Sequence, residues 1–161
     1  MTEKYVLDPS DQITLFEPDG ITPHVLTRIR RVADGELGGY IESEANLSQE
    51  GECWVNSGNK PSMVYGNAVV SEDANVAGIA YGNARIYGQA QVAGHFYDFA
   101  EIYGNANIAG NVYGNGKVYD RAEVTGSVYD DAVVCGTATL LGNAFGTAKL
   151  TSGTNWGDYS S

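Results

Sequence analysis

The 161-residue sequence has two cysteines, two histidines, two tryptophans, two methionines and four prolines, and nine basic residues against twenty acidic ones. Each scarcity excludes something. Cys53 and Cys135 fall five repeats apart in the register set out below, about 24 Å at one strand spacing per repeat, which is beyond disulfide reach and fits a reducing cytosol. Two distant cysteines and two distant histidines make no metal-ligand cluster, and no glycine-rich loop leads into Lys-Ser/Thr and a helix to hold a phosphate. No cofactor is expected. The net charge of −11 argues against direct nucleic-acid or anionic-membrane binding and favours a protein partner with a basic surface. Neither the apolar core of a signal peptide nor an apolar run of roughly 18 residues is present, so the chain reads as cytoplasmic, without a membrane span.

What the chain has in abundance is glycine, 21 residues, and tyrosine, 11 residues, set in a repeat. Residues 69–84, 85–100, 101–116, 117–132 and 133–148 align without insertion or deletion, and a degenerate copy, CWVNSGNKPSMVYGNA, precedes them. Position two of the regular copies holds Val70, Ile86, Ile102, Val118 and Val134; position eight holds Val76, Val92, Ile108, Val124 and Leu140. Position six is always alanine and position ten always glycine. Sixteen residues cannot make two helices, and recurrent Gly, Asn and Asp disfavour helix while suiting corners with positive φ. Short strands remain, one β-coil per repeat, with like positions stacked at about 4.8 Å so that each aliphatic column becomes a continuous core. The expected fold is all-β: a parallel β-solenoid of 16-residue coils. Inward aliphatics spaced six, four and six point to a three-sided coil with one short side, hence a left-handed β-helix ahead of a flattened or right-handed solenoid.

Residues 4–33 alternate apolar and polar about the turn Glu17-Pro18-Asp19-Gly20 and are expected to form a β-hairpin or small sheet, so that residues 1–36 cap the solenoid. Residues 37–148 then form the solenoid, regular over 69–148, and residues 149–161, with Leu150, Trp156 and Tyr159, close the far end. The first 52 residues hold 11 acids against 4 bases and the rest 9 against 5, so the N-terminal end is the more electronegative.

The stretches LTRIRR and GELGGYIESEANLSQEGECWV, followed by runs of VYGNA, resemble uncharacterised β-helical proteins of phages and prophages, related to hexapeptide-repeat and YdcK-like proteins. The resemblance covers roughly residues 25–148. It implies a left-handed β-helix in a phage or bacterial host cell and no established activity.

Candidate sites lie where the pattern is displayed or broken. Tyr65, Tyr81, Tyr97, Tyr113, Tyr129 and Phe145 make an aromatic column at position thirteen, one strand spacing apart and within stacking distance. Inward residues at position twelve place these rings outside by strand alternation. A shorter column holds Tyr87, Tyr103 and Tyr119, and position one brings Arg85, Glu101 and Lys117 onto adjacent coils as structural ion pairs. The acidic end offers Glu42, Glu44, Glu50 and Glu52. These surfaces point to a non-catalytic, phage- or prophage-derived solenoid that binds another protein. In one version its carboxylates inhibit a basic nucleic-acid enzyme of host defence. The alternatives are a virion or self-associating structural protein, with a second copy as partner, and an acyltransferase of the hexapeptide-repeat kind. For the last, His24 lies in the presumed hairpin and His95 on an outward corner, and no inserted loop makes a pocket beside His95. Asp130-Asp131 reads as a turn, and Thr125, Thr137 and Thr139 do not share the single column an ice-binding face requires.

Overall fold

The computed structural model describes residues 3–16, 20–43, 62–64 and 66–160. Strands β1 (Tyr5–Phe16), β2 (Pro23–Arg31) and β3 (Leu37–Ile41) pair antiparallel in that order, and β4 (Ser62–Val64) begins a second sheet. From Val69 onward each coil repeats a two-residue strand at positions one and two and a six-residue strand at positions seven to twelve. These are β5 (Val69–Val70), β6 (Asn75–Ala80), β7 (Arg85–Ile86), β8 (Gln91–Phe96), β9 (Glu101–Ile102), β10 (Asn107–Val112), β11 (Lys117–Val118), β12 (Glu123–Val128), β13 (Val133–Val134) and β14 (Thr139–Ala144). The last two strands are β15 (Lys149–Leu150) and β16 (Thr154–Tyr159).

The short strands join the N-terminal three in a nine-stranded sheet ordered β1-β2-β3-β5-β7-β9-β11-β13-β15, and the long ones form a seven-stranded sheet ordered β16-β14-β12-β10-β8-β6-β4. Pairing within the coils is parallel and in the register read from the repeat: Ile108 lies against Val92 on one side and Val124 on the other. The protein is therefore a β-solenoid, and its core is made of columns. Positions two, eight and twelve point inward, as do the alanines at six and sixteen, with Ile86, Ala90, Phe96, Ile102 and Ala106 all fully buried. Each buried Val, Ile or Leu contributes roughly 1.5–3 kcal/mol. Phe96 fits at position twelve because the residue below it in that column is Ala80.

Two turns, at positions three to six and thirteen to sixteen, and a break at glycine ten complete each coil. Gly94 has φ +146° inside β8, and a Cβ there would collide with the carbonyl oxygen of Gly110 on the next coil. Only glycine allows both that φ and that close approach.

Both ends extend the two sheets. The expected N-terminal hairpin is present, and β3 pairs antiparallel with β2 and parallel with β5, so the cap continues the nine-stranded sheet edge to edge. Its outermost strand β1 carries Pro9 within a register break between Asp8 and Gln12, two features that discourage further pairing. At the other end, residues 149–159 add one more coil. Lys149 pairs with Val133 and Thr154 with Thr139, one residue having been lost from the intervening turn. Leu150 and Tyr159 pack against the core, but Trp156 is 71% exposed. It falls at position nine, an outward position, because β16 keeps the register of β14.

Candidate functional site

Strand register builds the surface features as directly as it builds the core. Along position thirteen, Tyr81, Tyr97, Tyr113, Tyr129 and Phe145 stack with centroids 4.9, 4.9, 4.8 and 5.2 Å apart and planes within 8° of parallel. The rings shield each other's faces and show their edges and hydroxyls outward. Tyr81, the lowest described ring, is 39% exposed and the others are half-buried. Burial raises the hydroxyl pKa of Tyr97 and Tyr113. Tyr65, the remaining member of this column, lies outside the described residues, as do Glu44, Glu50, Glu52 and Cys53.

Position three carries the second column, Tyr87–Tyr103–Tyr119, stacked at 5.0 and 4.7 Å and ending at buried Cys135. A hydrogen bond with Cys135, reinforced by burial, pushes the Tyr119 hydroxyl up to about 12. The charges of position one pair as expected: Lys117 Nζ is 2.9 Å from Glu101 Oε2 and Arg85 Nη1 3.7 Å from Glu101 Oε1. Tyr87 also donates its hydroxyl hydrogen bond to Glu101, at 2.9 Å. Burial alone would raise the Glu101 pKa, but the bonds from Lys117 and Tyr87 outweigh it and hold the carboxyl below its ordinary value.

The junction between hairpin and coil holds a polar network that the repeat does not announce. His24 Nδ1 lies 2.8 Å from Glu42 Oε1 and its Nε2 3.5 Å from Glu72 Oε1. The other Glu42 oxygen accepts the Glu72 backbone N–H at 2.8 Å. Glu42, expected to face a partner, is thus half-buried and engaged within the chain. Glu72 has φ +56° at position four, where the other regular coils have Gly88, Gly104, Asp120 and Gly136. That departure, with Ser71 in place of the Tyr or Cys of the other regular coils at position three, was the signal in the sequence that this turn differs from its copies. Nearby, Arg28 bonds Asp11 at 2.9 Å and the Tyr40 hydroxyl at 2.6 Å, and stacks over the Tyr40 ring at 4.1 Å. These hydrogen bonds from Arg28 and Tyr40 lower the Asp11 pKa. The residues are 12 to 29 positions apart in the chain, so no spacing rule connects them.

His95 is exposed, as expected, but it lies within strand β8 rather than at a corner, and its backbone N–H donates to Asn111 Oδ1 at 3.2 Å. Among the described residues no group of three His, Cys, Asp or Glu side chains is placed to hold a metal ion, and no helix is long and apolar enough to cross a membrane. In the turn at positions thirteen to sixteen, position fifteen is polar in every copy but one, where it holds Phe99, 63% exposed.

No family model matches the chain. It is similar, at 33% identity over 82 residues, to a protein of Escherichia coli (strain K12) named an uncharacterized acetyltransferase, YdcK. The match covers 47% of this chain and 24% of that protein, so the chain spans about a quarter of its relative's length.

Proposed function

We propose that this chain is a non-catalytic β-solenoid that binds another protein along the tyrosine corner at position thirteen. The observation that carries the reading is the stack from Tyr81 to Phe145, held in register by the coil and open to solvent along its outer edge. Aromatic side chains are enriched at protein interfaces because they bring large contact area with little rotamer entropy to lose. The net charge of −11 favours a basic partner. In its finer form the protein is phage- or prophage-derived, left-handed in its coil, and an inhibitor of a basic nucleic-acid enzyme of the host. The experiment is capture of host proteins on the full chain and on a Tyr97→Ser/Tyr113→Ser variant, with stability and solution mass measured alongside. Loss of a captured partner from a folded variant of unchanged mass supports the reading. A fall in mass without loss of a partner supports self-association instead, and loss of stability alone makes the column purely structural.

A second reading, acyl transfer, is favoured by the relative's name and by the His24–Glu42 pair, in which a carboxylate orients an imidazole. It is tested by acyl-CoA turnover of the purified chain. Turnover that disappears in His24→Asn or His95→Asn would replace the binding reading.

A further inference from the structure

In the turn at positions thirteen to sixteen, position fifteen is polar in every copy but one. Position fifteen holds Asn67, Asn83, Asn115, Asp131 and Thr147 in five copies and Phe99 in the sixth. The backbone at Phe99 is that of its neighbours: its N–H donates to Gly114 O at 2.9 Å, as Asn83 N–H does to Asp98 O at 2.7 Å and Asn115 N–H to Asp130 O at 2.7 Å. The fold therefore asks nothing of the ring, which stands 63% exposed beside the half-buried Tyr97. Asp98 takes φ +58°, and its Oδ2 accepts the Gly114 N–H at 3.2 Å. Two coils on, Asp130 has φ +55° and accepts the Gly146 N–H at 3.1 Å. Each carboxylate is anchored through one oxygen.

Across the six copies of this corner, positions thirteen to fifteen contain no lysine or arginine. Among the described residues the ion pairs involve other carboxylates and none of Asp98, Asp130 or Asp131. The corner is thus aromatic and anionic, with no cation of its own.

From this we infer that Phe99 and Asp98 anchor a basic, extended segment of a partner protein, running along the coil axis over the tyrosine column. The inference rests on the binding reading above and deepens it by naming the partner's chemistry. One cation lies against the Phe99 ring while pairing with Asp98, which combines cation–π attraction with a charge-assisted hydrogen bond. A second reaches Asp130 and Asp131. Two coils separate the two sites, about 9.6 Å at one strand spacing per coil. A polyproline-II chain, with three residues per turn and a rise of about 3.1 Å, puts residues i and i+3 on one face at roughly that distance. The segment that fits has arginine or lysine three residues apart.

The test is fluorescence anisotropy of labelled proline-rich peptides with the full chain. The probes carry arginines three residues apart, two adjacent arginines, or glutamates three residues apart. The spaced-arginine peptide is expected to bind at least about tenfold more tightly than the glutamate peptide and measurably more tightly than the adjacent-arginine isomer. Phe99→Asn installs the residue of the neighbouring coils and leaves the charge unchanged. It is expected to keep the wild-type melt and weaken binding about tenfold, and Asp98→Asn, which retains the turn geometry, to do the same. Binding that ignores Phe99→Asn, or that treats the two arginine spacings alike, overturns the inference and marks the attraction as bulk charge. A host partner whose capture is insensitive to Phe99→Asn but lost in Tyr97→Ser/Tyr113→Ser rejects the Phe99 anchor and leaves the binding reading standing. Insensitivity to both sets of changes rejects both.

Discussion

Alanine at position six is a steric requirement set by two coils at once. Ala106 is fully buried between Ala90 and Ala122 in the same column, and no neighbour in that column can yield. Ala106→Leu is expected to cost about 1–3 kcal/mol by overpacking, read as a lower midpoint of thermal or urea unfolding. The same change at exposed Asn105 should leave the midpoint within about 0.5 kcal/mol of the parent. Tyr119 provides a pH-dependent counterpart. Its folded-state pKa is raised to about 12 by Cys135 and burial, whereas an unfolded tyrosine ionises near about 10. The folded state therefore holds a proton that the unfolded state loses, and stability should fall as pH rises through that interval. Spectrophotometric titration of phenolate absorbance should show late-ionising tyrosines, and Tyr119→Phe should remove part of the alkaline loss seen in melts between pH 10 and 12. Both residues stood out in the sequence as members of columns.

Within a coil, the glycine inside the long strand decides whether successive strands can approach. Gly94→Ala would meet the Gly110 carbonyl at a φ that alanine rarely adopts. The expected cost is roughly 2–3 kcal/mol from combined strain and overpacking, large enough to detect by urea titration even if β8 keeps its place. Three of the short strands, β7, β9 and β11, carry charges that pair across coils. Glu101 is held between Arg85, Lys117 and the Tyr87 hydroxyl. Its folded pKa lies below the ordinary value, so its contribution is present above the unfolded carboxyl pKa and is lost as pH falls through the folded one. Glu101→Gln should destabilise the protein by roughly 1–2 kcal/mol at neutral pH and flatten its acid dependence, a difference that melts at pH 7 and pH 3 would expose. Strand existence was legible from the spacing of the aliphatics. That glycine ten lies inside a six-residue strand, between two inward residues, required the backbone angles.

At the scale of the molecule, each coil touches chiefly the coils above and below it, so stability should grade along the axis. Native-state hydrogen exchange is expected to show strongest protection in β8, β10 and β12, which are paired on both sides, and weakest in β15 and β16, which are paired on one side only. Uniform protection through β16 would mean that the last coil is covered in solution. The repeat by itself determined the coil length, the parallel register, the inward columns and the aromatic ladder. A 16-residue period admits one in-phase stacking, and everything placed at one point of the period then shares one line. Tertiary structure alone decided how the non-repeating parts join that stack. The His24–Glu42–Glu72 contacts and the Asp11–Arg28–Tyr40 contacts bring together residues from β1, β2, the end of β3 and the first regular turn. No period relates those segments, and their geometry is fixed only when the hairpin pairs with the edge of the first coil. The continuation of the coil through residues 149–160 was hidden for a related reason: the deletion of one turn residue shifts the sequence register, while the backbone pairing of β16 with β14 absorbs it in the turn.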